Sequence, residues 1–596
     1  MQRWSRLQFT GILPLLFLAV PASAHGQTET QRVSISQTLY FRSAADEAAD
    51  RAQLHAAAAR EVEALRSVKG EALVSELDRS EALLVALQRH LAYWKVRALE
   101  DTQDHAAREA GDGVFTDQSV LREEMETRLQ AVPPAEVASL GRYRLLAAEV
   151  QGDTSHQVTP EIARYRSQVV FPALNHLAQI YDDVDVRRPK DLTAKDTTIR
   201  RAAIAEWKQA YDEKAPEDAA LLAIIVDLEN RDARAEGYKN AAERKYESSG
   251  LSDALVQQTL AAVAAQAPPY RHYEEVVEKH AAEKLGLRSA YSTEVNLAEQ
   301  RGPAYTFAEA RTLVLGALQP LGADYVRRFS ALLDSSNGRV GLGGGPHSSP
   351  TGTSINAFDA PTALYYGGYD GSLRSVSTIA HEGGHAIHRE LMNAGGSPLY
   401  ERSGAHYVFE GFAIFNELLL LDHAAQVATT PAQKQEALEQ FLHKISLELF
   451  VSAEETAFER SLYTSPISSA LDRGQIDALY RASIAPYEIW SADDIGQSRL
   501  WMRKSLLFED PLYLVNYLYA SVIAVALFDK SHTDPNFAEK YEALLRRGFD
   551  RDPQAILAEM DVHLGDPEIV KPVADLLSRK ANELQQLYAQ QATESQ

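Results

Sequence analysis

The 596-residue sequence contains no cysteine. That absence excludes disulfide staples, thiolate nucleophiles, iron–sulfur clusters and cysteine-ligated zinc, so any bound metal must be held by His, Asp or Glu. Positive charge is also scarce. Sixty Lys and Arg stand against 83 Asp and Glu, a net charge of −23. A surface of that sign neutralises phosphates poorly, which argues against a nucleic-acid partner. With 32 Gly and 24 Pro the chain is neither collagen-like nor of low complexity. What is present is a 45% hydrophobic fraction, enough for an extensive interior. At this length, that interior is expected to be shared between two or more lobes.

Residues 1–24, MQRWSRLQFTGILPLLFLAVPASA, have the form of an export signal. Arg3 and Arg6 make a basic start, Leu7 to Val20 a short apolar stretch, and Ala22-Ser23-Ala24 a small-residue cleavage site. The apolar stretch is short for a membrane span of about 20 residues. The expectation is a bacterial protein that is periplasmic or secreted, without stable membrane insertion once the signal is cleaved after Ala24.

Beyond residue 40 helix-type spacing prevails, as in Ala44–Val68, Glu71–Ala98, Thr198–Glu213, Asp218–Lys239, Ser252–Glu283 and Phe307–Leu333. The polar stretch Asp182–Thr198, which contains Pro189, is the expected boundary between a helical region at 25–185 and a catalytic region at 186–590. One region breaks the pattern. Gly, Ser and Pro crowd Asn337–Gly371, and the run from Gly341 to Pro346 reads as a flexible loop beside an active site. It lacks the strand, lysine and helix context of a phosphate cradle. Within this region Thr362–Tyr369 is rich in β-formers and is expected to be a short strand that binds substrate backbone as an added strand.

Directly after it, Leu373–Leu391 reads LRSVSTIAHEGGHAIHREL. Leu373, Val376, Ala380, Ile387 and Leu391 form an apolar helical stripe. His381 and His385, four residues apart, project from one face beside it. This is the H-E-x-x-H arrangement, in which two imidazoles bind zinc and Glu382 handles the proton of a water. Gly383-Gly384 costs such a helix about 1 kcal/mol per residue relative to Ala, a penalty that closely packed neighbours would explain. A catalytic zinc takes three protein ligands and keeps one position open. The third is expected in His406–Asp422, HYVFEGFAIFNELLLLD, where Glu410 and Glu417 share one face of an otherwise apolar helix. Buried carboxylates need cations or donors. Glu410 is read as the ligand, and Glu417 as the group that orients a ligating imidazole. His388 shares the face of His385 but would close the site as a fourth ligand, and is read as structural. One Zn2+ per chain follows.

These residues resemble the zinc oligopeptidases related to thimet oligopeptidase, and among them oligoendopeptidase F most. Gly367–His388, GGYDGSLRSVSTIAHEGGHAIH, is similar to the family's N-G-T-L-x-D-V-x-T-L-A-H-E-x-G-H-x-x-H, and Glu410 with Asn416-Glu417 reproduces its E-x-x-x-x-x-N-E. Tyr305–Tyr325 resembles the segment that enters the catalytic half, and Ala233–Tyr238 an A-x-x-R-G-Y element with Glu236 in place of arginine. The resemblance implies a mostly α, two-lobed zincin-type metallopeptidase. It would have a deep central channel, a small β element beside the H-E-x-x-H helix, and a preference for short unstructured peptides. The ligands would be His381, His385 and Glu410, with Glu382 as base. The family's C-terminal W-x-R-I-P-H-F-Y-x-x-P-F-Y-x-Y-x-Y is matched by WMRKSLLFEDPLYLVNY at Trp501–Tyr517, where Leu506 replaces the histidine and Val515 the middle tyrosine. Tyr513 and Tyr517 are then the expected donors to the developing oxyanion, with Tyr519 as a substitute. A carboxypeptidase or dipeptidyl carboxypeptidase on a similar scaffold is the rival enzyme reading, and it needs a basic residue near the site. A zinc-holding peptide binder without turnover is the non-enzyme rival, although it has no need of Glu382.

Overall fold

Ser, Asp and Asn at helix starts, and Gly just past helix ends, punctuate the chain where its helices begin and stop. Ser43 accepts from the Asp46 N–H at 3.1 Å, and Asp104 from the Ala107 N–H at 2.9 Å. The computed structural model describes residues 32–594 except 71, 153–155, 157–158, 185, 300, 400–403, 467, 469, 491–493 and 495–500. The export signal at 1–24 lies outside the described residues. Those residues are mostly helical, with one small sheet, and none of the described helices is long and apolar enough to cross a membrane.

The helices Ala44–Ser67, Ala72–Glu100 and His105–Gln130 pack on one another through Leu54, Val62, Leu65, Leu77, Leu84, Leu121 and Leu129. A second, larger core gathers nearly everything from Tyr181 to Leu587. Between the two lies the sheet, formed by β1 (Val340–Leu342), β2 (Gly352–Ala357) and β3 (Ala360–Tyr366) in the order β1-β3-β2. Successive strand residues point to opposite faces. Ala363 and Tyr365 of β3, with Ile355 of β2, therefore enter the N-terminal core, whereas Leu364 of β3, with Val340 and Leu342, enters the large one.

Several elements differ from expectation. Thr198–Glu213 and Asp218–Lys239 are one continuous helix, Thr197–Ala235, with Pro216 inside it. A helix packed along much of its length survives the single hydrogen bond a proline removes. Ser252–Glu283 is broken at Gln266, because Pro268 and Pro269 open a new helix, Ala267–Leu285. Phe307–Leu333 is interrupted around Pro320 and Gly322, where Gly322 has φ 95°. The run from Gly341 to Pro346 is not all loop, since Gly341 and Leu342 belong to β1. The missing Cβ of Gly341 leaves room for Ile35 and Tyr365, each 3.1 Å from where it would stand. The expected strand is shorter and shifted, Ala360–Tyr366, and Tyr369 lies beyond it with its hydroxyl donating to the Tyr305 carbonyl at 3.0 Å.

A further correction concerns substrate. β3 is central, parallel to β1 and antiparallel to β2, so both its edges are already paired and it accepts no added strand. The outer edge of β1 is bridged by Val33. Among the described residues no strand covers the outer edge of β2, although Gln88 and Lys95 reach the Asn356 and Ser354 carbonyls there.

Candidate metal centre

The motif helix, Leu373–Gly395, starts and stops where its sequence says it must. The Ser372 hydroxyl accepts from the Ser375 N–H at 3.2 Å, and Asp370 accepts from the hydroxyls of Ser372 and Ser375 at 2.6 Å each. Gly396, with φ 73°, ends it in the left-handed conformation. The apolar stripe Leu373, Val376, Ala380, Ile387 and Leu391 is fully buried. The two internal glycines have a steric reason. A Cβ on Gly383 would collide with the Phe329 ring, and one on Gly384 would lie 2.5 Å from Asn416 Nδ2. Asn416 in turn donates to the Tyr325 hydroxyl at 2.8 Å and reaches the Ala380 carbonyl at 3.3 Å. The motif helix is thus pressed onto the glutamate helix, His406–Val427.

That contact brings His381, His385 and Glu410 together. Their donor atoms lie within 4.8 Å of one another. His381 Nε2 is 3.3 Å from Glu410 Oε2, and His385 Nε2 is 3.6 Å from Glu410 Oε1. Two ligands bound tetrahedrally at about 2.1 Å from a zinc ion stand about 3.4 Å apart, so the spacing of imidazole and carboxylate suits such an ion. The donor types, two nitrogens and a carboxylate oxygen with no thiolate, suit a catalytic zinc. The rings of His381 and His385 are nearly perpendicular at 88°, and His385 stacks on Phe409 with centroids 4.3 Å apart.

Glu417 lies behind His381. Its Oε1 accepts from His381 Nδ1 at 2.7 Å, which leaves Nε2 as the nitrogen facing Glu410. The Ser377 hydroxyl donates to the other Glu417 oxygen at 2.6 Å, and Lys444 Nζ lies 2.8 Å from Oε1. Lys444 also reaches Glu448 Oε1 at 3.1 Å. All four charged or ligating groups, His381, Glu417, Lys444 and Glu448, are buried. Burial alone would push the Glu417 carboxyl up, but Lys444 and His381 outweigh it and hold the group down at about 2. Burial would likewise drive His381 down, and the carboxylates of Glu417 and Glu410 instead raise it well above the usual imidazole range. Glu410 is held well below the usual carboxylate range, with His385, His381 and His406 overcoming the effect of burial.

Glu382 follows His381 on the motif helix, half-buried, and its Oε2 accepts from the Ser354 N–H of β2 at 2.9 Å. The general-base candidate therefore touches the open strand edge. His388 is boxed by Phe409, Phe412 and Phe549, and burial keeps it well below the usual imidazole range. It is not part of the ligand cluster.

The tyrosines fall on two sides. Tyr513 is hydrogen-bonded to His406 Nε2 at 2.6 Å, and that nitrogen is 3.4 Å from Glu410 Oε1. Tyr517 packs edge-on to Tyr513, with centroids 5.7 Å apart. Tyr519 cannot substitute for them, because its hydroxyl is engaged with Thr259 at 3.0 Å in the core. Leu506 and Val515 are buried. Leu512, just before Tyr513, has φ 63°, unusual for a non-glycine residue, and its N–H donates to buried Glu459 at 2.5 Å. Sequence reasoning missed His406 and Lys444. His406 sits four residues before Glu410, the same spacing that marks His381 and His385, so the signal was present for it. Glu236, the departure from A-x-x-R-G-Y, is met by Arg166 at 2.5 Å and Arg244 at 2.6 Å.

A helical fold with two imidazoles and a carboxylate converging beside a short sheet defines a metallopeptidase of the H-E-x-x-H class. Residues 345–571 match peptidase family M3. Solved structures share the fold. A chain described as a peptidase from Chlamydophila abortus is 17% identical with a TM-score of 0.79, over 93% of this chain and 98% of that one. Oligoendopeptidase-F from Enterococcus faecium is 14% identical with a TM-score of 0.64, over 91% and 100%. Metallocarboxypeptidase 1 of Trypanosoma cruzi is 13% identical with a TM-score of 0.50, over 85% and 99%. Comparison by sequence with curated proteins gives no match. The expected mostly α, zincin-type architecture and the family resemblance both stand.

Proposed function

We propose that this metallopeptidase is a zinc-dependent endopeptidase of short, unstructured peptides, exported to the periplasm or beyond. The observation that carries the reading is the trio His381, His385 and Glu410, spaced to fit one ion, with Glu382 beside it at the edge of β2. His381, His385 and Glu410 would hold the zinc, which when bound polarises the scissile carbonyl and acidifies a water. Glu417, itself anchored by Ser377 and Lys444, keeps the His381 ring turned so that Nε2 faces the ligand cluster. An extended peptide pairs with the edge of β2 that no strand covers, exchanging the Glu382 contact at the Ser354 N–H for a backbone hydrogen bond, with loose sequence preference. Glu382 takes the proton of the attacking water and passes it to the leaving amine. Tyr513 and Tyr517 donate to the oxygen on which charge develops, and His406 positions the Tyr513 hydroxyl.

The test is hydrolysis of a mixed peptide pool, read by mass spectrometry with and without chelator. Glu382→Gln should keep its zinc and lose hydrolysis by about 100-fold or more, whereas Glu410→Ala should lose most of its zinc. A Glu410→Ala variant carrying full zinc would overturn the ligand assignment. A wild-type protein that binds peptides but cleaves none would instead support the binder reading.

A further inference from the structure

Arg389 follows Glu382 by seven residues on the motif helix, so the two side chains share a face about 10.5 Å apart along the axis. Its guanidinium lies 4.7 Å from the centroid of Phe409, the ring that stacks on His385. Among the described residues Arg389 has no ion pair and no hydrogen bond, although it is half-buried. The neighbouring carboxylate, Glu390, is already taken by Arg339. An unpaired guanidinium is costly to hold away from water, and its fork of donors matches a carboxylate.

A second cation reaches the same wall from the other lobe. Lys95, on the helix Ala72–Glu100, donates to Thr353 Oγ1 at 3.0 Å and lies 3.5 Å from the Ser354 carbonyl. Ser354 is the residue whose N–H holds Glu382. Among the described residues Lys95 also lacks a carboxylate partner at ion-pair distance. Burial pulls the Lys95 ammonium down to about 8, with Glu382 opposing and Arg389 adding to the shift, so the two cations sense one another across the site. Burial pulls Arg389 to about 10, and it too remains charged at neutral pH. Two like charges are thus held together with Glu382, the proton carrier, as the carboxylate both of them feel.

We propose that Arg389, assisted by Lys95, binds a carboxylate of the peptide substrate, so that the enzyme anchors chains by their C-terminal end and cuts a short, fixed distance from it. The inference rests on the metallopeptidase reading and, within it, favours the carboxypeptidase-like mode over endopeptidase action, because that mode requires a basic anchor. An extended residue spans about 3.3 Å, so the axial offset of Arg389 from Glu382 places the anchored carboxylate about three residues beyond the scissile bond. An acidic side chain at that position offers the same chemistry.

The test is equilibrium binding to the full-length protein in the presence of chelator, which does not depend on turnover. Three fluorescent peptides of one sequence serve as probes: a free acid, its C-terminal amide, and the amide with Glu placed three residues from the end. Wild type should bind the free acid at least tenfold more tightly than the amide. Arg389→Gln should abolish that difference, Arg389→Lys should retain part of it, and Lys95→Met should reduce it. If the Glu-bearing amide binds as tightly as the free acid, the site reads any carboxylate at that spacing. If only the free acid gains, it reads the chain terminus. Equal binding of all three peptides by wild type, or an acid preference that survives in Arg389→Gln, overturns the proposal. Mapping the cleaved bonds separately, with zinc restored, judges the peptidase reading on its own.

Discussion

Lys444 pairs with Glu417, the carboxylate that holds His381 Nδ1, and so acts on the candidate metal cluster through it. Glu417 and Glu448 are both buried, and the ammonium between them is what makes that pair of carboxylates tolerable. Replacing Lys444 by Met should leave Glu417 protonated or displaced, and so loosen the His381 ring. Zinc affinity, read by competition with a chelator, should fall about 10- to 100-fold, as it does when the partners of metal ligands are removed elsewhere. Removing the Tyr513 hydroxyl in Tyr513→Phe should lower kcat about 100-fold with little change in KM, since an oxyanion donor acts mainly in the transition state. His381, His385, Glu410 and Glu417 were legible in the sequence because helical spacing turns residue numbers into faces. Lys444 was not. It comes from a third helix, 27 residues after Glu417, and no local pattern links the two. His406 was overlooked because one His–Glu pair at helical spacing commonly makes nothing more than an ion pair.

At the scale of elements, the pressed contact between the motif helix and its neighbours carries the geometry. Gly383→Ala should cost about 1–3 kcal/mol or more by forcing the Phe329 ring aside, and pairing it with Phe329→Leu should recover part of that loss. Chemical denaturation of the four proteins of that cycle measures the coupling, and strict additivity would show that Gly383 is there for another reason. The long helices were readable from composition and spacing, and so was the existence of a strand before the motif. The strands β1 and β2 were hidden because their Gly, Ser and Pro content masks alternation. Their partners lie outside any short window, β1 pairing with β3 across more than twenty residues. The Lys444–Glu448 pair straddles the start of a π-helical segment, Ser446–Val451, an irregularity invisible to a 3.6-residue period.

At the scale of the molecule, buried carboxyl groups govern the response to pH. Burial raises Glu459 to about 8, and Glu274 and Glu436 to about 7 each. A carboxyl whose folded value exceeds its unfolded one contributes stability that is complete below the ordinary carboxylate range and lost as pH rises through the folded value. The melting temperature should therefore fall from about pH 5, where the unfolded carboxyls ionise, to about pH 8, and level off above that. Glu459→Gln, which mimics the protonated form, should flatten that fall, most visibly between about pH 7 and pH 8, where Glu459 alone still contributes. Thermal melts across this range check it, and an unchanged slope in the variant would assign the effect to other groups. A division into two or more lobes sharing an interior was expected from chain length alone. The wall between the cores was not, because it depends on which side of a strand each residue faces.

The sheet has no idle surface. Ile355, Ala363 and Tyr365 belong to one core, and Val340, Leu342 and Leu364 to the other. Deleting the amino-terminal helices would therefore strip bare the apolar face of β2 and β3 formed by Ile355, Ala363 and Tyr365. A shortened version spanning only 345–571 should come out of expression as an aggregate, because the part that performs the chemistry borrows its backing from a part that performs none.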